Sequence, residues 1–171
     1  GIGPGEIIVT TPLTFMASLN CIRYVGARLT LVDIDSVTLN INLASIPEDA
    51  PGLLAVHYAG LPVDLRALQS RPRIVIEDAS HALGASTPYG PVGNCALSDM
   101  TVFSFHPVKP ITTGEGGMVM VEDPEIARRL RILRQHAMDV SDVARHQSET
   151  FIFKSYPEMG YNYRMTDIQA A

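Results

Sequence analysis

Short apolar runs recur along this chain, each closed by polar or glycine-rich sequence. Residues 6–10 (EIIVT), 29–32 (LTLV), 53–56 (LLAV), 74–76 (IVI), 101–105 (TVFSF) and 117–121 (GMVMV) are compact and rich in β-branched or aromatic side chains, which predicts strands. Between them the spacing changes. Residues 15–25 (FMASLNCIRYV) bring Phe15, Leu19, Ile22 and Tyr24 or Val25 close to a helical period, and residues 124–136 set Ile126, Leu130 and Leu133 on one face with arginines opposite. Strands buried on both faces read as continuous apolar runs, so the pattern predicts a mostly parallel sheet. With right-handed crossovers such a sheet becomes a three-layer α/β/α sandwich. Ligands of such sheets bind beyond the carboxyl ends of the strands. Attention therefore falls on Phe15, His57, Asp78 and the loop from Ser104 to Gly117.

Composition narrows the class. With 171 residues, 46% hydrophobic and 18% charged, the chain can bury a core and does not read as disordered. The net charge is −5 and no basic stripe is present, which argues against a nucleic-acid partner. No apolar run approaches the ~18–20 residues of a membrane span, and the amino end lacks a signal-peptide pattern, so a cytoplasmic location is expected. Cys21 and Cys95 form no CxxC pair and read as free, buried thiols. The histidines show no ligand spacing that predicts a metal. The chain starts without Met, and MTDIQAA at its end reads as the opening of a helix. A piece of a longer protein is the expectation.

Two segments carry candidate chemistry. In VIEDASHALGA (residues 75–85), Glu77 and Asp78 close an apolar run. An acidic residue there caps a following helix, the commoner role, or faces a cationic ligand atom. In VFSFHPVKPITTGEGG (residues 102–117), Lys109 stands between Val108 and Pro110. Lysine is usually exposed, its ammonium reaching water. Desolvated, it loses its charge more readily and condenses with aldehydes. GEGG predicts a positive φ or a close backbone approach.

Taken in order, GIGPGEIIVTTPLTFMASLNCIRYVGARLTLVDID, VIEDASHALGA, FSFHPVKPITTGEGGMV and MGYNYRMTDIQAA resemble the DegT/DnrJ/EryC1/StrS sugar aminotransferases across the whole chain. The resemblance implies the aspartate-aminotransferase fold (fold type I) and pyridoxal 5′-phosphate as cofactor. Residues 1–171 would be the cofactor-binding large domain, truncated before its first phosphate-binding segment and before its small carboxyl-terminal domain.

By the same resemblance, Lys109 is the Schiff-base lysine and Asp78 the carboxylate bonded to the pyridine nitrogen. Ser104 binds the phosphate, Phe15 stacks on the ring, and His81 stands near the ring hydroxyl. Asn162 reaches the phosphate of the neighbouring subunit in a homodimer, with Arg164 close by. The implied reaction moves an amino group from glutamate to a nucleotide-linked keto-sugar. FHPVKPITT is most similar to enzymes that aminate C4 of UDP-linked 4-keto-6-deoxy-hexosamines, in the branch that feeds pseudaminic acid synthesis. Two alternatives stand beside it: a non-catalytic binding or regulatory protein on the same fold, and a sugar dehydratase, which in this family carries His where this chain has Lys109.

Overall fold

A computed structural model describes residues 1–140 and 146–171, which divide into two compact units, Gly1–Glu122 and Asp123–Ala171. The first unit is built on a six-stranded sheet in the order β2-β1-β3-β4-β7-β8. Its strands are β1 (Ile7–Thr10), β2 (Arg28–Leu31), β3 (Gly52–Val56), β4 (Ile74–Asp78), β7 (Met100–Ser104) and β8 (Gly117–Met120). All neighbouring pairs are parallel except β7–β8. A separate two-residue ladder joins β5 (Ser86–Thr87) and β6 (Gly90–Pro91). The mostly parallel sheet is the one the apolar runs predicted. The antiparallel edge strand was not.

Side-chain alternation sorts the core onto two faces. Val9, Leu53, Ala55 and Val75 pack on one face with Val32, Ile41, Ile46, Val63 and Leu65. Ile8 and Leu54 pack on the other with Ile22 and Ala27, joined by Ile76. That second face is covered by helix α1 (Met16–Tyr24). The first is covered by irregular chain containing single 3₁₀ turns at Leu43–Ser45 and Leu65–Ala67, so one outer layer of the sandwich has no long helix within this unit. At the middle of the sheet both faces are nonetheless covered, and β3 is buried throughout, which accounts for its uninterrupted apolar run.

The glycines of GEGG meet both expectations. Gly114 has φ +79°, and a Cβ on Gly117 would lie 2.9 Å from the Phe103 carbonyl oxygen on the paired strand. Cys95 is buried as expected, whereas Cys21 lies exposed on α1.

In the second unit, α2 (Pro124–Leu133) is capped by Asp123, whose side chain accepts the N–H groups of Glu125 and Ile126, with Pro124 in the first turn. The predicted helix ran on to residue 136. It ends earlier because His136 and Ala137 take positive φ. Ile126, Leu130 and Leu133 are only half-buried. Residues 161–163 run alongside 133–136, bonded through Tyr161 N–H to Leu133 O (2.7 Å), His136 N–H to Tyr161 O (2.7 Å) and Tyr163 N–H to Arg134 O (2.8 Å). The closing MTDIQAA does begin a helix, α3 (Asp167–Ala170), through a capping box between Thr166 and Gln169. Among the described residues no helix is long and apolar enough to cross a membrane.

Candidate active site

The carboxyl ends of β4 and β7 lie side by side, with Asp78 paired to Val102 and Ser104 two residues further on. Alternation from Ile76 places Asp78 on the face covered by α1, and from Val75 places Glu77 on the opposite face. The two adjacent carboxylates therefore have different surroundings.

No helix follows Asp78; residues 80–81 form a turn. The helix-cap expectation fails for that reason, although the Ser80 N–H does donate to Asp78 Oδ1 at 3.1 Å. Asp78 Oδ2 instead accepts the Ser18 hydroxyl of α1 at 2.6 Å, and Ser18 Oγ lies 2.8 Å from Thr14 Oγ1. A carboxylate only accepts, so the single Ser18 proton goes to Asp78 and the Thr14 hydroxyl donates to Ser18. The Asp78 carbonyl takes the His57 N–H at 3.0 Å, which ties β3 to β4 at the edge of the site.

Glu77 is enclosed. Its Oε1 accepts from Ser98 and, at 2.9 Å, from Thr101, and its Oε2 lies 2.9 Å from His57 Nε2. His57 is 1% exposed. Its Nδ1 accepts the Val63 N–H at 3.1 Å, so Nε2 carries the ring proton and donates it to Glu77. Burial works to raise the pKa of Glu77, but the hydrogen bonds from His57, Ser98 and Thr101 outweigh it and hold the group below its ordinary range.

The loop after β7 is pinned at its base. The Phe105 N–H donates to Gly116 O at 2.8 Å, and Phe105 O accepts from the Thr113 N–H and the Thr112 hydroxyl. Lys109 is half-buried and its N–H closes a turn onto His106 O at 2.9 Å. The flanking Val108 is 78% exposed and Ile111 is exposed too, so the apolar neighbourhood expected from sequence is not one that this chain closes around Lys109. Ser104 Oγ accepts the His106 N–H at 3.3 Å.

Phe15, at the amino end of α1, has an exposed ring (79%), and His81 lies exposed in the turn after Asp78. Phe15, Asp78, His81, Ser104 and Lys109 thus all lie past or at the carboxyl ends of β1, β4 and β7. Asn162 and Arg164 belong to the second unit, where both are exposed and Asn162 forms an isolated bridge with Gln135. The Tyr161 and Tyr163 rings stack at 4.9 Å.

This donor set suits pyridoxal phosphate. Protein donors fill two of the roughly four lone-pair positions of Asp78, leaving room for a ring N–H. An exposed aromatic side chain, a serine at a strand end and a half-buried amine are further groups of the kind such a cofactor can use.

The Thr14–Ser18 pair and the His57–Glu77–Ser98–Thr101 cluster escaped the sequence reading. Serine in an amphipathic helix is indistinguishable from any polar residue, and its partner lies 60 residues away. The available signal was polarity inside apolar segments: Ser18 on the helix, Glu77 at the end of IVI and Thr101 at the start of TVFSF.

Comparison with known proteins converges on one family. The DegT/DnrJ/EryC1/StrS aminotransferase family profile matches residues 1–171. The spore coat polysaccharide biosynthesis protein SpsC of Bacillus subtilis is 35% identical over 179 residues, covering 100% of this chain and 46% of its own length. Among solved structures, Helicobacter pylori PseC, an aminotransferase involved in the biosynthesis of pseudoaminic acid, matches with TM-score 0.84 at 30% identity, over 99% of this chain and 45% of that one. Spr1654 of Streptococcus pneumoniae, known in PMP, PLP and apo forms, matches in its PMP form with TM-score 0.82 at 27% identity, over 99% of this chain and 49% of that one. The fold is that of the fold type I sugar aminotransferases. The chain spans about half the length of the relatives it matches.

Proposed function

The chain belongs to the DegT/DnrJ/EryC1/StrS aminotransferase family, which works with pyridoxal phosphate, and from that premise we propose that its protein transfers an amino group from glutamate to a nucleotide-linked 4-keto-6-deoxy sugar. The observation that carries this reading is the end of β4: a carboxylate anchored by Ser18 and Ser80, beside a strand that leads into a lysine loop. Pyridoxal phosphate, when bound, supplies an aldehyde and an electron-withdrawing ring.

In this reading Lys109 Nζ would hold the cofactor covalently and would serve as the base and acid that moves a proton. Asp78 would keep the ring nitrogen protonated. Phe15 would supply an aromatic face for the ring, His81 a polar group near its hydroxyl, and Ser104 a hydroxyl for the phosphate. Asn162, with Arg164 near it, serves the phosphate of a neighbouring subunit, which makes the working form a homodimer. The resemblance carried by FHPVKPITT favours a UDP-linked hexosamine and amination at C4, and the similarity to PseC, an aminotransferase involved in the biosynthesis of pseudoaminic acid, supports that branch. Lys109 itself argues against the dehydratase branch, since His106 stands three residues earlier and does not replace it.

Reductive trapping tests the assignment of Lys109 directly. Borohydride reduction of the full-length, cofactor-loaded protein followed by peptide mapping is expected to leave the label on Lys109. Label on any other lysine, such as Lys154, would overturn the assignment.

A further inference from the structure

Aspartate χ2 is a broad, nearly two-fold torsion, so a carboxylate that must aim at one ligand atom needs anchors outside its own side chain. Asp78 has two: the Ser80 N–H on Oδ1, supplied by the local turn, and the Ser18 hydroxyl on Oδ2, supplied by α1. The second is the stronger. At 2.6 Å it lies in the range of a charge-assisted O–H···O⁻ bond. Ser18 is 3% exposed, and a buried helical serine ordinarily bonds the carbonyl of its own preceding turn. Here the hydroxyl crosses to another element instead. Thr14 fixes its direction, because with the Thr14 proton on Ser18 Oγ the Ser18 proton is left for Asp78.

Resting on the reading of Asp78 given above, we propose that Ser18 is the positioning residue of the site: its hydroxyl, oriented by Thr14, holds the Asp78 carboxylate at the angle from which the remaining lone pairs meet the ring nitrogen. Phe15 stands three residues before Ser18, within the same turn of chain. One helix start therefore carries both the aromatic residue and the anchor of the carboxylate. Alanine at position 18 would leave Oδ2 without a protein donor among the described residues and free the carboxylate to swing about χ2.

The test uses full-length, cofactor-loaded protein in four forms besides wild type: Ser18→Ala, Ser18→Thr, Asp78→Asn, and the Ser18→Ala/Asp78→Asn double variant. Three quantities are read: kcat and KM for glutamate, the pH midpoint of the visible cofactor band, and the melting temperature without cofactor. Ser18→Ala is expected to lower kcat about tenfold, equivalent to ~1.4 kcal/mol, with KM for glutamate within about twofold. It also moves the spectral midpoint toward that of Asp78→Asn. Ser18→Thr, which keeps the hydroxyl, restores both readouts. In the Asp78→Asn background, Ser18→Ala adds nothing further, because the two residues act as one unit.

If Asp78→Asn disturbs kcat and spectrum while Ser18→Ala leaves both at wild type, the inference about Ser18 falls and the role of Asp78 stands. If Asp78→Asn leaves both unchanged, the reading of Asp78 falls and Ser18 has nothing to position. If Ser18→Ala lowers the melting temperature and Ser18→Thr fails to restore the spectrum, Ser18 is a packing residue and the inference is overturned.

Discussion

The two faces of the sheet at the end of β4 treat adjacent carboxylates in opposite ways. On one face Glu77 is buried and closed in by His57, Ser98 and Thr101, which fill three of its roughly four lone-pair positions. On the other, Asp78 has one hydroxyl and one backbone N–H, and a row of exposed groups past the strand ends: Phe15, His81 and the Lys109 loop. A buried carboxylate enclosed by three protein donors has little bonding left to offer a ligand and no open side from which to offer it, and its value is in joining strands. A partly satisfied one at a strand end has bonding capacity to spare. Chemistry follows the unfilled lone pairs rather than the residue type.

The sharpest way to break this comparison is to remove each carboxylate in turn. Glu77→Ala leaves His57, Ser98 and Thr101 around a buried gap. By analogy with other buried networks that lose their charged member, the loss is about 3–5 kcal/mol of folding stability, a large part of what a domain holds. Urea unfolding at pH 7 measures it, and a loss under about 1 kcal/mol would show that the cluster is not a strand clamp. Asp78→Asn is expected to do the reverse. Stability stays within about 1 kcal/mol of wild type, because the amide oxygen can still accept from Ser18. Turnover of the full-length protein falls at least ~10²-fold, the usual cost of removing a positioned electrostatic partner. Near wild-type turnover would give Asp78 the same structural standing as Glu77.

Sequence revealed one side of this comparison far better than the other. The apolar runs located the strands to within a residue or two, since β-branched runs between turn residues are a local signal: EIIVT became Ile7–Thr10 and TVFSF became Met100–Ser104. The α1 period was local too. Asp78, Ser104 and Lys109 were nameable because they lie in ordered motifs that resemble a family. Left to spacing alone, Asp78 read as a helix cap and Lys109 as a surface lysine. The pairings of Ser18 with Asp78 and of His57 with Glu77 were out of reach in a different sense. The partners lie 60 and 20 residues apart, and only the parallel register of β3, β4 and β7, with α1 folded over one face, brings them together. The antiparallel β8 was also hidden, because strand direction is set by how the GEGG loop turns and not by the composition of GMVMV.

The smallest expected effect is the most specific to the Glu77 face, since it depends on charge rather than on bulk. The folded-state pKa of Glu77 lies below its ordinary value of 4.5. A carboxyl group shifted down on folding binds fewer protons folded than unfolded, so stability rises with pH across the window between the two values. Its contribution is fully present above about pH 4.5 and is lost as pH falls through the folded value. Glu77→Gln should be less stable than wild type at pH 7. An amide has one acceptor oxygen where the carboxylate uses two: turned toward Ser98 and Thr101 it leaves its NH₂ against the Nε2–H of His57, and turned toward His57 it replaces charge-assisted bonds with neutral ones. Glutamine does not titrate, however, so the variant lacks this component of acid sensitivity. Urea unfolding of both proteins at pH 7, 5, 4 and 3 should therefore show a stability gap that is constant from pH 7 to 5 and narrows below. A gap that stays constant to pH 3 would mean that Glu77 is held by hydrogen bonds indifferent to its charge, and the contrast between the faces would rest on geometry alone.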